Sequence, residues 1–238
     1  MGVRMIPITR RASTRPLPAP WPILYPACSS RMDTPPRKIF QTLDKTASYP
    51  YSRKEYVRRV MWNLVQATLF RYSPPRAFAW RRWLLRAFGG KIGEHSGMRS
   101  SVRIFHPWLF EMGDWSMLAH GVVVYNLGPV RIGHHSVVSQ DAYICAGTHD
   151  YTRPNLPLLR PTITIGDGVW VAAQAFLGPG VTVGDNCVIA ARAVVVKDVP
   201  PGVVAGGNPC KVIKPRPMGQ TDLATEATED TGEKRKEY

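Results

Sequence analysis

The sequence predicts an all-β fold, a parallel β-helix built from six-residue repeats, because aliphatic residues recur at intervals of six in its C-terminal half. The aliphatic residues in this register are Ile165, Val171, Leu177, Val183, Ile189 and Val195. Gly or Ala follows each of the first five, and a small or medium-sized apolar residue lies four positions after each of the six. A period of six fits neither an amphipathic helix nor a hairpin strand, so the fold itself must repeat.

The same register extends upstream to residue 92, with interruptions. Its phase shifts at 107–111, at 128–131 and at 149–164, and we expect loops to leave the coil there. The aliphatic residue would point inward, and the small residue beside it would let the backbone turn at a corner without a Cβ clash. With three hexads in each coil, residues 92–213 predict about seven coils and a prism roughly 30 Å tall.

Composition divides the chain into a basic, Pro-rich leader, a helical cap, the β-helix domain and a polar tail, at residues 1–52, 53–91, 92–214 and 215–238. We expect the leader and the tail to be disordered, since both are polar and lack periodicity. Met32 is an alternative start to Met1, because nothing before Met32 has a structural pattern.

Two helices are predicted in the cap. Apolar residues recur at three- and four-residue steps from Val57 to Val65, and a second helix over about 75–88 ends at Gly89-Gly90. One role for these helices is to cover the exposed edge of the first coil. The other is contact with anionic lipid, through arginines that lie beside tryptophans. The two roles are compatible.

The net charge of +14 comes from the N-terminal part of the chain. Residues 1–91 hold 18 Lys and Arg against three Asp and Glu, whereas residues 92–217 hold ten against eight. No nucleic-acid-binding motif accompanies the basic segment, so we do not expect nucleic acid as a partner. The four cysteines are widely spaced and form no C-x-x-C pair, which favours a reduced cytoplasmic setting.

Among the six histidines, His149 has the most informative context. It ends a hexad and begins the longest irregular insertion, 150–157, so its imidazole could reach a ligand held against the flank of the coil. A solvated loop histidine is the alternative interpretation. No metal site is expected, because the adjacent His134 and His135 would point to opposite faces of a strand and no histidine follows His149.

The stretch from Gly147 to Lys214 resembles the hexapeptide-repeat acyltransferases. The motifs that carry the resemblance are GTHD at 147–150, IGDGVWV at 165–171 and VVVKDVPPGVVAGGNPCKVIK at 194–214. Within that superfamily the chain is similar to the O-acetyltransferases of the colanic acid biosynthesis type, whose features lie at 65–70, 73–74, 83–89 and 125–128. The resemblance covers about residues 60–216. It implies a left-handed β-helix, a homotrimer and an acetyl-CoA cleft between neighbouring subunits.

The resemblance also implies roles for single residues. His149 matches the general base, which removes a proton from an acceptor hydroxyl as that hydroxyl attacks acetyl-CoA directly. Trp170 matches the aromatic residue that packs along the pantetheine arm. Ala173 and Ala191 match backbone positions that bond the pantetheine amides.

Three lysines match the basic positions near the phosphates of CoA: Lys197, Lys211 and Lys214. Charge supports this assignment independently, because four of the ten Lys and Arg in residues 92–217 lie between Lys197 and Arg216.

The acceptor pocket departs from that of the galactoside and maltose types, which carry His-Pro after the base and paired aspartates ahead of it. Here Asp150 follows His149, and the upstream segment reads Asn-Leu-Gly-Pro at 126–129. The candidates for binding sugar hydroxyls are Asn126, Asp141, Asp150 and Arg153. Whether Asp150 or another acceptor fixes the tautomer of His149 is open.

The sequence therefore predicts a cytoplasmic, acetyl-CoA-dependent O-acetyltransferase that acts on a sugar in exopolysaccharide or related glycan assembly. The sugar could be nucleotide-linked, lipid-linked or polymeric, and the basic helices could contact the inner face of the plasma membrane. One alternative is an acetyltransferase for another small acceptor, such as an antibiotic or serine. A non-catalytic β-helix scaffold is the other.

Overall fold

A computed structural model describes residues 40–42 and 52–218 of the chain. Most of the predicted leader, the alternative start at Met32 and most of the predicted tail lie outside these residues. The described chain forms a parallel β-helix with two helices at its N-terminal end, which confirms the predicted fold class.

Three parallel sheets, A, B and C, form the faces of the β-helix. Sheet A consists of β1 (Lys91–Ile92), β4 (Phe110–Met112), β7 (Val130–Ile132), β12 (Ile163–Ile165) and β15 (Thr182–Val183). Sheet B consists of β2 (Gly97–Met98), β5 (Met117–Leu118), β8 (Val137–Val138), β13 (Trp170–Val171), β16 (Val188–Ile189), β18 (Val203–Gly206) and the antiparallel β19 (Lys211–Pro215). Sheet C consists of β3 (Arg103–Ile104), β6 (Val123–Tyr125), β9 (Tyr143–Cys145), β14 (Phe176–Leu177) and β17 (Val194–Val195). A separate antiparallel pair consists of β10 (Thr148–His149) and β11 (Leu158–Leu159).

One strand from each sheet makes a coil, and the described chain contains five such coils and part of a sixth. The expectation of about seven coils was wrong, because it counted residues that do not join the coil. A 3-10 turn at Pro107–Leu109, the insertion after β9 and the closing strand β19 all lie outside the repeat. The insertion separates the paired residues Arg131 and Thr164 on adjacent coils. The predicted phase shifts at 107–111 and at 149–164 thus coincide with departures from the coil, whereas at 128–131 four residues join β6 directly to β7.

The hexad register gives the core its composition. All six aliphatic residues from Ile165 to Val195 are buried, as are the residues four positions after each of them. The small residue beside the inward one is required by the neighbouring coil, since a Cβ on Gly113 would lie 2.7 Å from the carbonyl carbon of Gly133. The turn itself is made two residues later, where Trp115, His135 and Asn186 have positive φ. The small residue is therefore needed so that the coils can stack closely. It is not needed, as we had expected, to turn its own backbone.

Two helices, α1 (Arg53–Val65) and α2 (Phe78–Ala87), cover the first coil, and a π-helical turn, Gln66–Phe70, continues α1. No coil precedes the first one, so the backbone groups of its inward residues lack hydrogen-bond partners on that side. Their backbone groups are instead bonded by the helices: Ile92 O accepts from Arg86 Nε, Met98 O from Arg81 Nε and Ile104 O from Trp62 Nε1. One strand of each sheet is thus completed by a side chain of the cap, which confirms the predicted capping role.

No helix in the described part of the chain is long and apolar enough to cross a bilayer.

Candidate active site

The insertion that carries His149 lies on the edge between sheets C and A. It leaves after β9 of sheet C and rejoins the coil at β12 of sheet A. Pairing of Thr148 with Leu159 and of His149 with Leu158 makes it a β-hairpin. We call residues 148–159 the histidine hairpin. Its short ladder holds the backbone of His149 while leaving the side chain exposed.

A backbone carbonyl orients the imidazole of His149. Its Nδ1 lies 2.7 Å from the carbonyl oxygen of Leu156 in the same hairpin. Because a carbonyl oxygen can only accept, this contact places the proton on Nδ1 and leaves a lone pair on Nε2. Leu156 has a φ of 43°, and its own N–H donates to the carbonyl of Arg153. The exposed imidazole therefore has the tautomer that a general base needs, with Nε2 ready to take a proton.

Asp150 does not orient His149. Its Oδ1 accepts hydrogen bonds from the hydroxyl and from the backbone N–H of Thr152, within the turn of the hairpin. These two hydrogen bonds hold the pKa of Asp150 below its ordinary value, and the bond from the hydroxyl has the larger effect. The backbone carbonyl of Leu156 thus answers the open question about the tautomer. The sequence could not indicate this partner, because the contact does not involve the Leu156 side chain.

Trp170 lies on β13, in the middle of sheet B. Its side chain is 48% exposed, and its indole Nε1 donates to the hydroxyl of Ser139 at 2.9 Å. The hydrogen bond fixes the ring on the surface of the sheet. A half-exposed aromatic ring held in one orientation is suited to packing along an extended apolar chain.

Ala173 and Ala191 lie on adjacent coils at the edge between sheets B and C. In the part of the chain that the structure describes, neither backbone N–H donates a hydrogen bond. The other N–H groups at this position of the BC edge, at 100, 120 and 140, are equally unused.

The edge between sheets A and B differs. There four of the five N–H groups at the same position donate to a side chain on the next coil, as Glu94 does to Asp114 and Asp167 does to Asp185. The BC edge thus presents a row of donors with no partner in the described chain, next to Trp170. Such a row fits a ligand with spaced carbonyl oxygens, such as the amides of pantetheine.

The three candidate lysines separate into two groups. Lys211 and Lys214 lie on β19, which extends sheet B beyond β18 and so shares a face with Trp170. Lys197 follows β17 of sheet C and lies on the CA edge. All three are exposed, and none forms an ion pair with a described residue. Arg216 is engaged, since its Nη1 donates to the carbonyl of Gly168.

Within a single subunit, His149 lies far from most of the candidate cofactor residues. The CA edge, which carries the histidine hairpin, lies opposite sheet B in a three-sided prism. Trp170 and Lys214 lie on sheet B, and Ala173 lies at its border with sheet C. The structure therefore brings the cofactor candidates other than Lys197 together and places the candidate base on the far side of the coil.

Of the four acceptor candidates, Asn126 is removed by the structure. It is fully buried, and its Oδ1 accepts from the N–H groups of Phe105 and His106 while its Nδ2 donates to the carbonyl of His106. This amide links two coils and is closed to a sugar. Asp141 remains exposed on the BC edge, where its carboxylate fills the space that a Cβ on Gly121 would need.

Asp150 and Arg153 remain candidates on the histidine hairpin, although the carboxylate of Asp150 is already bonded within its turn. Ser139, the hydrogen-bond partner of Trp170, was not predicted. It lies 31 residues from Trp170 in sequence, and only the stacking of coils brings the two together.

Among residues 40–42 and 52–218, no cluster of three or more His, Cys, Asp and Glu side chains is arranged to hold a metal ion. Cys145, Cys187 and Cys210 are free thiols, and Cys28 lies outside the described residues. Burial raises the pKa of the Cys210 thiol, which disfavours the nucleophilic thiolate.

Comparison with protein families identifies a match at residues 162–197 to the model of the bacterial transferase hexapeptide with six repeats. The chain is also similar to WcaF of Escherichia coli (strain K12), a protein named as a candidate acetyltransferase of colanic acid biosynthesis. The two are 44% identical over 156 residues, which are 66% of this chain and 86% of WcaF.

Solved structures give the same result. A maltose O-acetyltransferase from Clostridium difficile 630 superposes with a TM-score of 0.64 and 27% identity, over 70% of this chain and 90% of that one. A galactoside acetyltransferase in complex with coenzyme A superposes with a TM-score of 0.59 and 27% identity, over 70% of this chain and 84% of that one.

Proposed function

The chain belongs to the hexapeptide-repeat acetyltransferases, and from this premise we propose that it transfers an acetyl group from acetyl-CoA to a sugar hydroxyl in exopolysaccharide or related glycan assembly. The similarity to WcaF and to acetyltransferases named for galactoside and maltose supports a sugar acceptor. The observation that carries the mechanism is the contact between His149 Nδ1 and Leu156 O, which leaves Nε2 free to accept a proton.

Acetyl-CoA would bind along sheet B and the BC edge. Its phosphates would lie near Lys211 and Lys214, its pantetheine arm against Trp170, and its amide carbonyls at the unused N–H groups of Ala173 and Ala191. Aromatic packing, backbone donors and free cations are the three kinds of contact that this co-substrate requires.

The proposed reaction is a direct transfer. Nε2 of His149 takes the proton of the acceptor hydroxyl as its oxygen forms a bond to the thioester carbonyl carbon. The tetrahedral oxyanion is stabilised by a backbone N–H; the C–S bond then breaks, and the thiolate of CoA takes the proton back from the imidazolium. No cysteine nucleophile is needed, in keeping with the raised pKa of Cys210.

The proposed site needs at least two subunits. Because His149 lies opposite sheet B within one chain, its hairpin can serve only the cofactor face of a neighbour. A homotrimer satisfies this requirement, since a closed ring of three gives every hairpin one sheet B to face. Lys197, on the same edge as His149, would then also act on a neighbour's cofactor.

The acceptor would enter from the cap end of the BC edge. With the phosphates of CoA at the sixth coil, the thioester points toward the lower coils, past Asp141. There the edge ends in a cavity of about 640 Å³ whose walls include Ser101, Arg71 and Arg103. Hydroxyl and guanidinium groups suit a polar or anionic acceptor. We place the reaction in the cytoplasm, where acetyl-CoA is available.

Steady-state kinetics with a panel of sugar, antibiotic and serine acceptors, followed by release of the CoA thiol, tests the proposal. His149→Gln should lower kcat about a hundredfold or more while the calorimetric affinity for acetyl-CoA stays unchanged. His95→Gln is the matched control, since His95 is exposed on the AB edge, far from the proposed site.

Near-normal turnover in His149→Gln would remove His149 from the mechanism, and failure to bind acetyl-CoA would favour a non-catalytic scaffold. Mass spectrometry of glycans from cells with and without the chain then identifies the acetylated sugar.

A further inference from the structure

The helical cap presents an apolar surface to solvent. We call it the cap surface, and it consists of exposed side chains from α1, the π-helical turn, the segment after it and α2. These side chains are Val57, Val60, Met61, Leu64, Leu69, Tyr72, Trp80 and Trp83. A concentration of large apolar side chains on one short segment marks an interaction site, because exposed patches of this kind are rare on soluble proteins.

On α1 the cap surface is the face opposite the coil. Trp62 is fully buried against the β-helix, whereas Val57, Val60 and Leu64 recur at three- and four-residue steps on the other side. Their exposed fractions lie between 56% and 66%. The helix is therefore anchored by one face and offers a second apolar face with no partner in the described chain.

The two tryptophans continue this surface onto α2. Trp80 stacks on Trp83 with 5.1 Å between ring centroids, and its Nε1 donates to the carbonyl of Leu69 at 3.1 Å. The indoles are thus held in place at the surface, Trp83 with 57% of its area exposed. Rings with an apolar body and a polar tip are enriched at membrane interfaces.

The charge of the cap is strongly positive. Residues 52–90 hold nine Lys and Arg, and Glu55 is their single acidic residue. Capping accounts for Arg81, Arg82 and Arg86, whose guanidinium groups bond carbonyls. Four further cations have exposed side chains without a hydrogen bond or ion pair to a described residue: Arg53, Lys54, Arg71 and Arg76.

We propose that the cap surface binds an anionic lipid bilayer. The free cations complement anionic headgroups, and the apolar side chains of α1 and α2 enter the boundary between headgroups and acyl chains. A second copy of this chain fits the surface less well, because two identical cationic caps repel each other and protein interfaces exclude charge from their centres. The helices here lie on the bilayer and do not span it.

Docking by the cap sets the height of the proposed active site. The histidine hairpin leaves the third coil, two layers above the coil that the cap covers, or about 10 Å at the usual spacing between strands. The helix layer adds about 10 Å between that coil and the bilayer, so a lipid-linked sugar would have to extend roughly 20 Å above the headgroups to reach the histidine hairpin. This consequence rests on the proposed function, but the bilayer contact does not.

Sedimentation of the full chain with lipid vesicles tests the proposal without any acetyl transfer. The chain should sediment with vesicles that contain phosphatidylglycerol, sediment far less with phosphatidylcholine alone, and be released by high salt. The double variant Val60→Glu/Leu64→Glu should lower the partition coefficient about tenfold or more. Arg53→Gln/Lys54→Gln should lower it for anionic vesicles alone.

Val196→Glu is the matched control. Val196 is exposed to a similar degree, 52%, and follows the last strand of sheet C, at the opposite end of the coil stack. It should bind vesicles as the unmodified chain does.

Equal sedimentation of the α1 double variant and the unmodified chain would overturn the proposal, as would equal binding to both kinds of vesicle. If the double variant changes the oligomeric mass while the unmodified chain ignores vesicles, the cap surface is instead an interface between copies. Acetyl transfer to a soluble sugar stays normal in all of these cases if the proposed function is correct, so the two proposals fail separately.

Discussion

At His149 the orienting group is a backbone carbonyl, and this has a consequence for the chemistry of the ring. A carboxylate partner would gain a charged hydrogen bond when the imidazole protonates, whereas the carbonyl of Leu156 contributes mainly by fixing the tautomer and the ring plane. The proposed catalysis by His149 therefore depends on the conformation of the hairpin, in which Leu156 has positive φ. The geometry of a loop turn replaces an acidic residue here.

The tautomer of His149 can be measured directly. In protein labelled with 15N-histidine, assigned by loss of the signal in His149→Gln, we expect neutral His149 to carry its proton on Nδ1. Asp150→Asn should leave this tautomer unchanged, because the carboxylate bonds Thr152 and not the ring. A proton on Nε2, or a tautomer that changes in Asp150→Asn, would contradict the role of Leu156.

Asn126 shows why residue-level prediction of the acceptor site is difficult. A polar side chain near a proposed site is equally compatible with binding a ligand and with bonding the backbone of another coil. The partner that decides the matter, His106, lies 20 residues earlier and becomes a neighbour only when the coils stack. The sequence contains no local pattern for this contact. From the sequence alone, Asn126 and Asp141 were therefore equally good candidates for binding sugar hydroxyls.

At the level of the element, the hexad was predictable because its constraint is steric and local. Each inward aliphatic residue is buried, and each glycine after it approaches the next coil closely. The number of coils was overestimated because the count by hexads included the residues of the histidine hairpin, although the phase shift at 149–164 predicted their departure from the coil. The closing strand β19 carries no such signal, and its residues could be assigned to a coil from the sequence alone.

The close approach of coils gives a stability prediction. A Cβ in Gly113→Ala would lie 2.7 Å from the carbonyl carbon of Gly133 and 2.8 Å from the backbone nitrogen of His134. Neither atom can move without disturbing the next coil, so we expect the free energy of unfolding in urea to fall by about 1–3 kcal/mol.

The control for this variant is Gly202→Asn. Gly202 has a φ of 71° and no atom within 4 Å of the position of its missing Cβ. Asn tolerates this backbone conformation, so the loss should not exceed about 1 kcal/mol. Similar losses in the two variants would mean that backbone freedom, rather than stacking, makes these glycines necessary.

For the molecule as a whole, the two ends of the coil stack have different proposed roles. The first coil lacks a neighbour, and the cap that completes it carries the cationic, apolar cap surface. The last coil ends in β19, which carries Lys211 and Lys214 on sheet B. The row of unused backbone donors on the BC edge connects the two ends. A ligand along this edge would have its phosphates at one end and would meet an acceptor from the other.

The separation of His149 from sheet B predicts complementation between two inactive variants. In His149→Gln the proposed base is lost, and in Ala173→Trp an indole blocks the proposed cofactor surface beside Trp170. If every site combines the hairpin of one chain with sheet B of the next, a randomly mixed trimer contains sites that inherit both intact halves. About a quarter of the sites in an equal mixture should then be active.

Co-expression of the two variants, followed by the thiol-release assay, measures this recovery. The control is a mixture of the separately folded variants without subunit exchange, which should stay inactive. Activity that remains at the level of the single variants after verified exchange would place His149 and Ala173 in the same half of the site. The hairpin would then have to serve sheet B of its own chain, which its position on the opposite edge of the prism does not allow, so the assignment of His149 as the base would have to be given up.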